Sequence, residues 1–265
     1  MPSNDAQPPW LTIVTVVKDA PDDFARTVES VVVQDLEGVE YVVVDSSSDS
    51  SPILASLARV PEIDCPYTCV EPRGIYPAMN AALALASGEY VYFLNAGDLL
   101  HSSDVLRQVG MALRPGSPTW AFGEVEIVQA NGSRLVTPRW EYAKEKAAHF
   151  SRGRFPPHQG TFVRRDALRA QGGFDPTFTI VADYASFLKL STVADPLYLE
   201  TVIATFVEGG VSTTRWQESL RQFHRARRQV LRPAGLGAVR EYAETARQAV
   251  AMGLYRGVWS RVVQR

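Results

Sequence analysis

Hydrophobic and polar positions along the chain follow a repeated rhythm. Leu11–Val17 (LTIVTVV) is a short, mostly β-branched apolar run. Residues 22–34 then carry Phe24, Val28, Val31 and Val32 at helical spacing, and Val39–Asp45 (VEYVVVD) is a second apolar run. After a Ser/Asp turn, the spacing predicts a helix around 53–60, a strand at 67–70, a helix over 78–86 and a fourth strand at 90–95 (YVYFLN). Near-continuous apolar strands alternating with helices predict an α/β fold with a mostly parallel central sheet covered on both faces.

The second half reads differently. Residues 119–128 and 133–137 flank Asn131-Gly132, a strong hairpin signal. A strand is expected at 158–164, a helix at 183–193 and a strand at 197–207, turned or bulged in its middle. Gly209-Gly210 breaks the chain, and two helices are expected from Trp216, interrupted at 233–237. In the last helix, Val239, Tyr242, Ala246, Ala249, Val250, Leu254, Val258 and Val262 form an apolar stripe among arginines. This divides the chain into an α/β body over 1–214 and a basic amphipathic helical extension over 215–265.

Charge sharpens that division. The 265 residues carry a net −2, but eleven arginines and three glutamates give the extension +8, leaving −10 for the body. An acidic body with a basic tail suggests a tail that meets phosphates or an anionic membrane surface. The neutral total argues against nucleic acid as a partner. The apolar runs are far shorter than a bilayer span, and with no leader pattern the expected location is cytoplasmic. Cys65 and Cys69 are too few for a disulfide scaffold and are expected to be buried free thiols.

In parallel sheets, ligands bind beyond the strand C-termini, which singles out Thr15, Lys18, Asp45, Asn95 and Asp98. A buried strand that ends in Asn-Ala-Gly-Asp offers the Asp98 carboxylate to Mg²⁺ or Mn²⁺ against a diphosphate; the same residue could instead shape a turn or cap a helix. Asp45 could accept from a base N–H or a ribose hydroxyl, or close an Asx-turn. In EPRGIYPAMN (71–80), Gly74 allows close backbone approach and Arg73 could meet a phosphate or a base. Neither G-x-G-x-x-G nor G-x-x-x-x-G-K-[ST] occurs, which excludes a dinucleotide fingerprint and a P-loop. Asp183 stands at the start of a helix, where an ionised carboxylate is favoured, and suits a general base on a sugar hydroxyl; it could equally be an ordinary N-terminal helix aspartate. His158, among prolines, could donate to a phosphate, ligate a metal or be structural.

Together, LTIVTVVKD, VEYVVVD, EPRGIYPAMN, GEYVYFLNAGD, PHQGTFVRR, GGFDPTF…VADY and EGGVSTT resemble glycosyltransferase family 2, over roughly residues 11–214. IYPAMN, FLNAGD, HQG and GGVSTT are most similar to its small exopolysaccharide and colanic-acid-type members. The resemblance implies a GT-A fold, an inverting mechanism, a divalent metal and a UDP- or GDP-sugar donor. It places Asp45 on the nucleoside base, Asp98 on the metal and Asp183 as the general base. Asn80 falls with the donor-binding residues. Gly210 and Ser212 fall with His158 as acceptor or phosphate residues. The chain departs from the family at Asn95-Ala96-Gly97-Asp98, which keeps one carboxylate of the usual Asp-x-Asp-Asp. Ala182 and Pro77 stand where acidic residues are usual, and the Gln-x-x-Arg-Trp motif of processive synthases is missing.

The leading expectation is therefore a transferase that adds one sugar at a time to a lipid-linked or glycan acceptor. Its alternative is a non-catalytic nucleotide-sugar-binding subunit. A sugar nucleotidyltransferase would want a Gly-rich basic loop after the first strand, where VVKDAPDD is acidic. The helical extension is expected on the inner face of the membrane, the same stripe serving otherwise to pack on the body or to form a homodimer.

Overall fold

The computed structural model describes residues 8–60, 65–209 and 215–263, with side chains to residue 251. Strand β1 (Leu11–Val17) is buried at every position. It pairs in parallel with β2 (Val39–Asp45) on one side and β4 (Tyr90–Phe93) on the other, and β2 pairs with β3 (Tyr67–Cys69). Alternation sends successive side chains to opposite faces. Leu11 and Ile13 join Tyr41, Val43, Tyr90 and Tyr92 in one core, while Val14 and Val16 join Val42, Val44, Val91 and Phe93 in the other. Helix α1 (Pro21–Val32) closes the first core with Phe24, Val28 and Val31; α3 (Ile75–Leu85) closes the second with Met79 and Ala82. Helix α2 (Ser51–Leu57) returns the chain to β3. The order β3-β2-β1-β4 reverses direction between β1 and β4, which opens a crevice at their C-terminal ends.

Beyond β4 the sheet becomes mixed. Strand β8 (Thr161–Arg164) runs antiparallel to both β4 and β6 (Trp120–Val128). Strand β9 (Leu197–Val207) runs parallel to β6 and antiparallel to the two-residue β5 (Leu99–Leu100). Strand β7 (Arg134–Val136) pairs with β6 across the turn at Gly132, as the Asn-Gly signal predicts. The expected bulge in β9 lies opposite Gly123, where register shifts follow Phe122 and Glu124. A Cβ at Gly123 would lie 2.6 Å from the carbonyl oxygen of Thr201, so the strands approach this closely only over glycine. The strand expected at 158–164 begins at Thr161; His158–Gly160 is a 3₁₀ turn instead, because Pro156 and Pro157 precede it and Gly160 presses on the Gly123 carbonyl. Helices α4 (Val105–Leu113), α5 (Tyr142–Ser151), α6 (Arg165–Ala170) and α7 (Ala182–Ser191) complete the body.

The C-terminal segment does not behave as one extension. Helix α8 (Trp216–Leu231) packs on α7, with Ala226 in the core and Phe223 edge-on to Tyr184 at 4.6 Å. The body therefore continues past residue 214. Helix α9 (Leu236–Val263) meets α8 through its polar side. Arg227, 1% exposed, donates to Glu241 at 2.6 Å and to Thr245 at 3.0 Å, and Gln248 donates to the Ser151 carbonyl. Val239 and Val250 of the apolar stripe are open to solvent, 63% and 62% exposed, while the Tyr242 ring lies 4.8 Å from His224 of α8.

The cysteines also differ from expectation. Cys69 is exposed and Cys65 half-buried, so neither is fully buried. Cys65 precedes the three-residue β3, so the two do not share a buried strand face. No helix among the described residues is long and apolar enough to cross a membrane.

Candidate active site

The C-terminal end of β4 leads into a tight turn. Leu94 and Ala96 donate to the carbonyls of Val14 and Val16, which extends the β1 pairing past the strand. Thr27 of α1 pins the turn: its hydroxyl accepts from the Gly97 N–H and donates to the Asp98 carbonyl. Gly97 takes φ 98°, so the chain reverses where few other residues would allow it. Asp98 lies inside this turn with its side chain 14% exposed.

Proline-led geometry delivers His158 to the same place. Its Nε2 lies 3.1 Å from Asn95 Nδ2 and 3.9 Å from Asp98 Oδ2, and its Nδ1 lies 3.4 Å from Asp183 Oδ2. A ring proton on Nδ1 thus faces Asp183, while Nε2 accepts from Asn95. Burial works against a second proton on His158, but the carboxylates of Asp183 and Asp98 outweigh it and raise the affinity of the ring for protons.

Asp183 stands in the first turn of α7, where free backbone N–H groups favour a carboxylate. Its Oδ1 accepts from the Tyr184 N–H at 2.8 Å and, at 3.0 Å, from the Tyr76 hydroxyl, which shares its proton with the Ile180 carbonyl at 2.7 Å. Oδ2 is left facing His158. The loop before α7 is held from α8: the Ile180 N–H donates to Gln222 Oε1, and Gln222 Nε2 donates to Thr179. The C-terminal helices therefore help to place this carboxylate.

Asp98 and Asp45 occupy opposite electrostatic situations. Burial pushes Asp98 up to about 6, offset only in part by His158, a Gln159 side-chain hydrogen bond and the Asn95 backbone. Asp45, 1% exposed at the end of β2, also meets a burial penalty. There, hydrogen bonds from Ser47 and Tyr67 prevail and hold it below the usual carboxylate range. Its Oδ1 accepts from the Ser47 N–H at 2.7 Å, the Asx-turn arrangement, and Oδ2 accepts from the Tyr67 hydroxyl at 2.6 Å.

The structure thus brings Asn95, Asp98, His158 and Asp183 together. Asp45 lies two strands away, about 10 Å across the sheet. Lys18 is exposed beside it, and Asp19 ties the two neighbouring loops by accepting from the Ser48 N–H and hydroxyl. Arg73 is exposed and paired with Glu71. Two expected donor contacts are engaged elsewhere. The Thr15 hydroxyl is fully buried, donating to the Leu94 carbonyl and accepting from Tyr41. The Asn80 amide exchanges two hydrogen bonds with the Phe174 backbone and so secures the loop leading to Asp183. Both support the site from behind. Gly210 and Ser212 lie outside the described residues.

The donor set fits a hard divalent cation. Asp98 is a carboxylate without a strong cationic partner, and the adjacent Asn95 Oδ1 is buried with no hydrogen-bond partner among the described residues. No group of three or more His, Cys, Asp or Glu suited to a metal occurs among the described residues. A cation at Asp98 would take most of its oxygens from a bound diphosphate and water.

A family model of glycosyl transferase family 2 matches residues 12–172. The chain belongs to glycosyltransferase family 2. It is 32% identical over 213 residues to an uncharacterized glycosyltransferase of Mycobacterium tuberculosis, covering 78% of each chain. A PGL/p-HBAD biosynthesis glycosyltransferase of the same species is 28% identical over 148 residues, 54% of each chain. The fold is that of the mannosyltransferase PcManGT from Pyrobaculum calidifontis, solved with GDP-Man and Mn²⁺; the TM-score is 0.65 at 15% identity, covering 94% of this chain and 76% of that one. The protein is thus a glycosyltransferase with a GT-A fold.

Residue spacing did not reveal Tyr76, Thr27, Tyr67 or Gln222. Each reads as an ordinary core or surface position, and only the folded contacts give it a role. Tyr76 has the nearest thing to a signal, since it sits beside Pro77 in a motif already singled out.

Proposed function

We propose that this transferase moves one sugar at a time from a UDP- or GDP-sugar to a lipid-linked or glycan acceptor, with inversion at the transferred carbon. The observation that carries the reading is the meeting of Asp98, His158 and Asp183 within 4 Å contacts at one sheet end. In the step proposed, the acceptor hydroxyl oxygen bonds to C1 of the sugar as the C1–O bond to the β-phosphate breaks. The hydroxyl proton passes to Asp183, and the nucleoside diphosphate leaves. One in-line displacement inverts the anomeric centre. Tyr76 and the Tyr184 N–H hold Asp183 Oδ1, so Oδ2 is the oxygen that takes the proton. Asp98, with Asn95 Oδ1 beside it, would hold Mn²⁺ or Mg²⁺, whose charge offsets that of the departing diphosphate. Asp45, Lys18 and Arg73 stand on the side proposed for the nucleoside.

Asp183→Asn tests the assignment. Binding of UDP or GDP with Mn²⁺ should persist within about twofold while turnover falls about 100-fold or more, the mark of a group acting in the transition state. Loss of nucleotide binding together with turnover, or surviving turnover, would overturn it. Proton NMR of the product should show the inverted anomer.

The exposed side of α9 supports peripheral docking on an anionic membrane, where lipid-linked acceptors lie. Val239 and Val250 face solvent on this helix, and residues 215–265 together carry a formal charge of +8. Replacing Val239 and Val250 by serine should abolish binding to anionic vesicles without unfolding the body; Tyr242 stays, because its ring rests on His224 and Arg228 of α8. Binding should also weaken as salt rises. A parent protein that ignores such vesicles, or a dimer in sedimentation that the same substitutions dissolve, would assign the stripe to a homodimer instead.

A further inference from the structure

A second cavity, of about 320 Å³, opens beside the site. Its walls include Phe122 and Glu124 of β6, Tyr198 of β9, Trp140, His149 of α5, and Arg154 from the loop that leads to His158. Phe155, Pro156 and Pro157 close one side, so the segment that shapes this cavity is the one that delivers His158 to Asp183. We propose that this cavity is the subsite for a pyranose ring of the acceptor. The proposal rests on the transfer reaction argued above and adds where the acceptor sits and what recognises it.

The chemistry of the walls decides the class of ligand. Phe122 stands edge-on to Tyr198 at 5.4 Å and to Trp140 at 6.0 Å, and Trp140 lies 4.1 Å from the His149 ring. Half-buried Trp140 gives flat apolar surface suited to the C–H face of a sugar, while Arg139 lies over the Tyr198 ring at 5.1 Å. Polar groups are few and specific. Glu124 accepts from the Tyr198 hydroxyl at 2.5 Å, which fixes the carboxylate and leaves its other oxygen for a ligand hydroxyl. Arg154 brings a guanidinium to the same wall, and the His149 ring backs Trp140. Aromatic faces with one carboxylate and one guanidinium, an acceptor and a donor of opposite charge, suit an uncharged ring bearing hydroxyls. A phosphate would meet the Glu124 carboxylate, and an acyl chain would leave Glu124 and Arg154 without ligand partners. The volume lies at the small end of ligand pockets and suits a monosaccharide-sized group.

The test uses the full chain and two kinds of probe. Saturation-transfer NMR reads binding of a panel of octyl and p-nitrophenyl pyranosides, and calorimetry reads UDP and GDP with Mn²⁺. We expect the parent to bind at least one glycoside through its ring protons. Trp140→Ala should weaken that binding about tenfold, a change of about 1.4 kcal/mol. Glu124→Gln, which keeps size and packing, should weaken it measurably, and both variants should retain nucleotide affinity. Equal glycoside binding by parent, Trp140→Ala and Glu124→Gln would overturn the subsite. So would a parent that binds nucleotide but no pyranoside of the panel. A parent that binds glycoside in this manner but neither nucleotide would leave the subsite standing and overturn the donor reading instead.

Discussion

Asp45 and Asp98 end parallel strands of the same half-sheet, and both are largely withdrawn from water, yet their surroundings differ in kind. At Asp45 the chain supplies its own donors, the Ser47 N–H and the Tyr67 hydroxyl, and the carboxylate is stabilised in its ionised form. At Asp98 burial dominates and the carboxyl is pushed up to about 6. One strand end is electrostatically complete; the other has only His158, 3.9 Å away, as a charged group to offset its burial. An incomplete site costs stability in the free protein and gives an incoming cation something to neutralise. The two positions should therefore respond oppositely when their charge is removed.

The largest effect is expected at Asp98. Asp98→Asn should cut turnover by about 100-fold or more, because charge on the leaving diphosphate is no longer offset. The same change should leave the melting temperature of the metal-free protein unchanged or higher at pH 7. Parent-like turnover of this variant in excess chelator would remove Asp98 from the metal. Asp45→Ala should do the reverse to stability. It leaves the Ser47 N–H and the Tyr67 hydroxyl without their acceptor, at a cost of about 2–4 kcal/mol in denaturant unfolding. UDP or GDP affinity should fall as well; unchanged affinity by calorimetry would confine Asp45 to closing the turn.

The contrast also marks how far the sequence could be read. The parallel half was legible because its strands are apolar on both faces and their polar ends are few. Asn95, Asp98 and Asp45 follow from strand ends alone, and Asp183 from a helix start. What lay hidden depends on contacts between distant segments. Thr15 looks like a strand-end donor, but register turns its hydroxyl onto Leu94. Asn80 looks like a ligand contact, but the fold brings Phe174 against it. The arginine-rich end conceals two opposite fates. Arg227 is buried on Glu241, while Val239 and Val250 of the apolar stripe that seemed suited to packing face solvent on α9. Periodicity locates a stripe but does not say which side of a helix meets the body.

A smaller effect follows from pH. The folded-state value of Asp98 lies above that of an unfolded aspartate, so the folded protein holds this proton more tightly. The stabilising contribution is complete below the ordinary carboxylate range and is lost as pH rises through about 6. A cation competes with that proton, so Mn²⁺ affinity measured with bound nucleotide should fall about tenfold between pH 7 and pH 5. Asp98→Asn should flatten the profile, and an equally steep profile in that variant would trace the competition to another group.

The smallest effect isolates the complete site. Tyr67→Phe removes one hydroxyl that donates to Asp45 and leaves the ring in place. A hydrogen bond to a charged group contributes about 1.5–3 kcal/mol at most, and the partly exposed setting of Tyr67 points to the lower end. Asp45 is held below the usual carboxylate range, so its stabilising contribution is present above the unfolded value and is lost as pH falls through the folded one. Tyr67→Phe should therefore destabilise the protein at pH 7 and lose less on acidification than the parent does. Urea unfolding at pH 7 and at about pH 3.5 reads both quantities. If the variant and the parent lose the same stability over that interval, Ser47 alone sets the Asp45 environment, and the contrast with Asp98 rests on the turn rather than on the tyrosine.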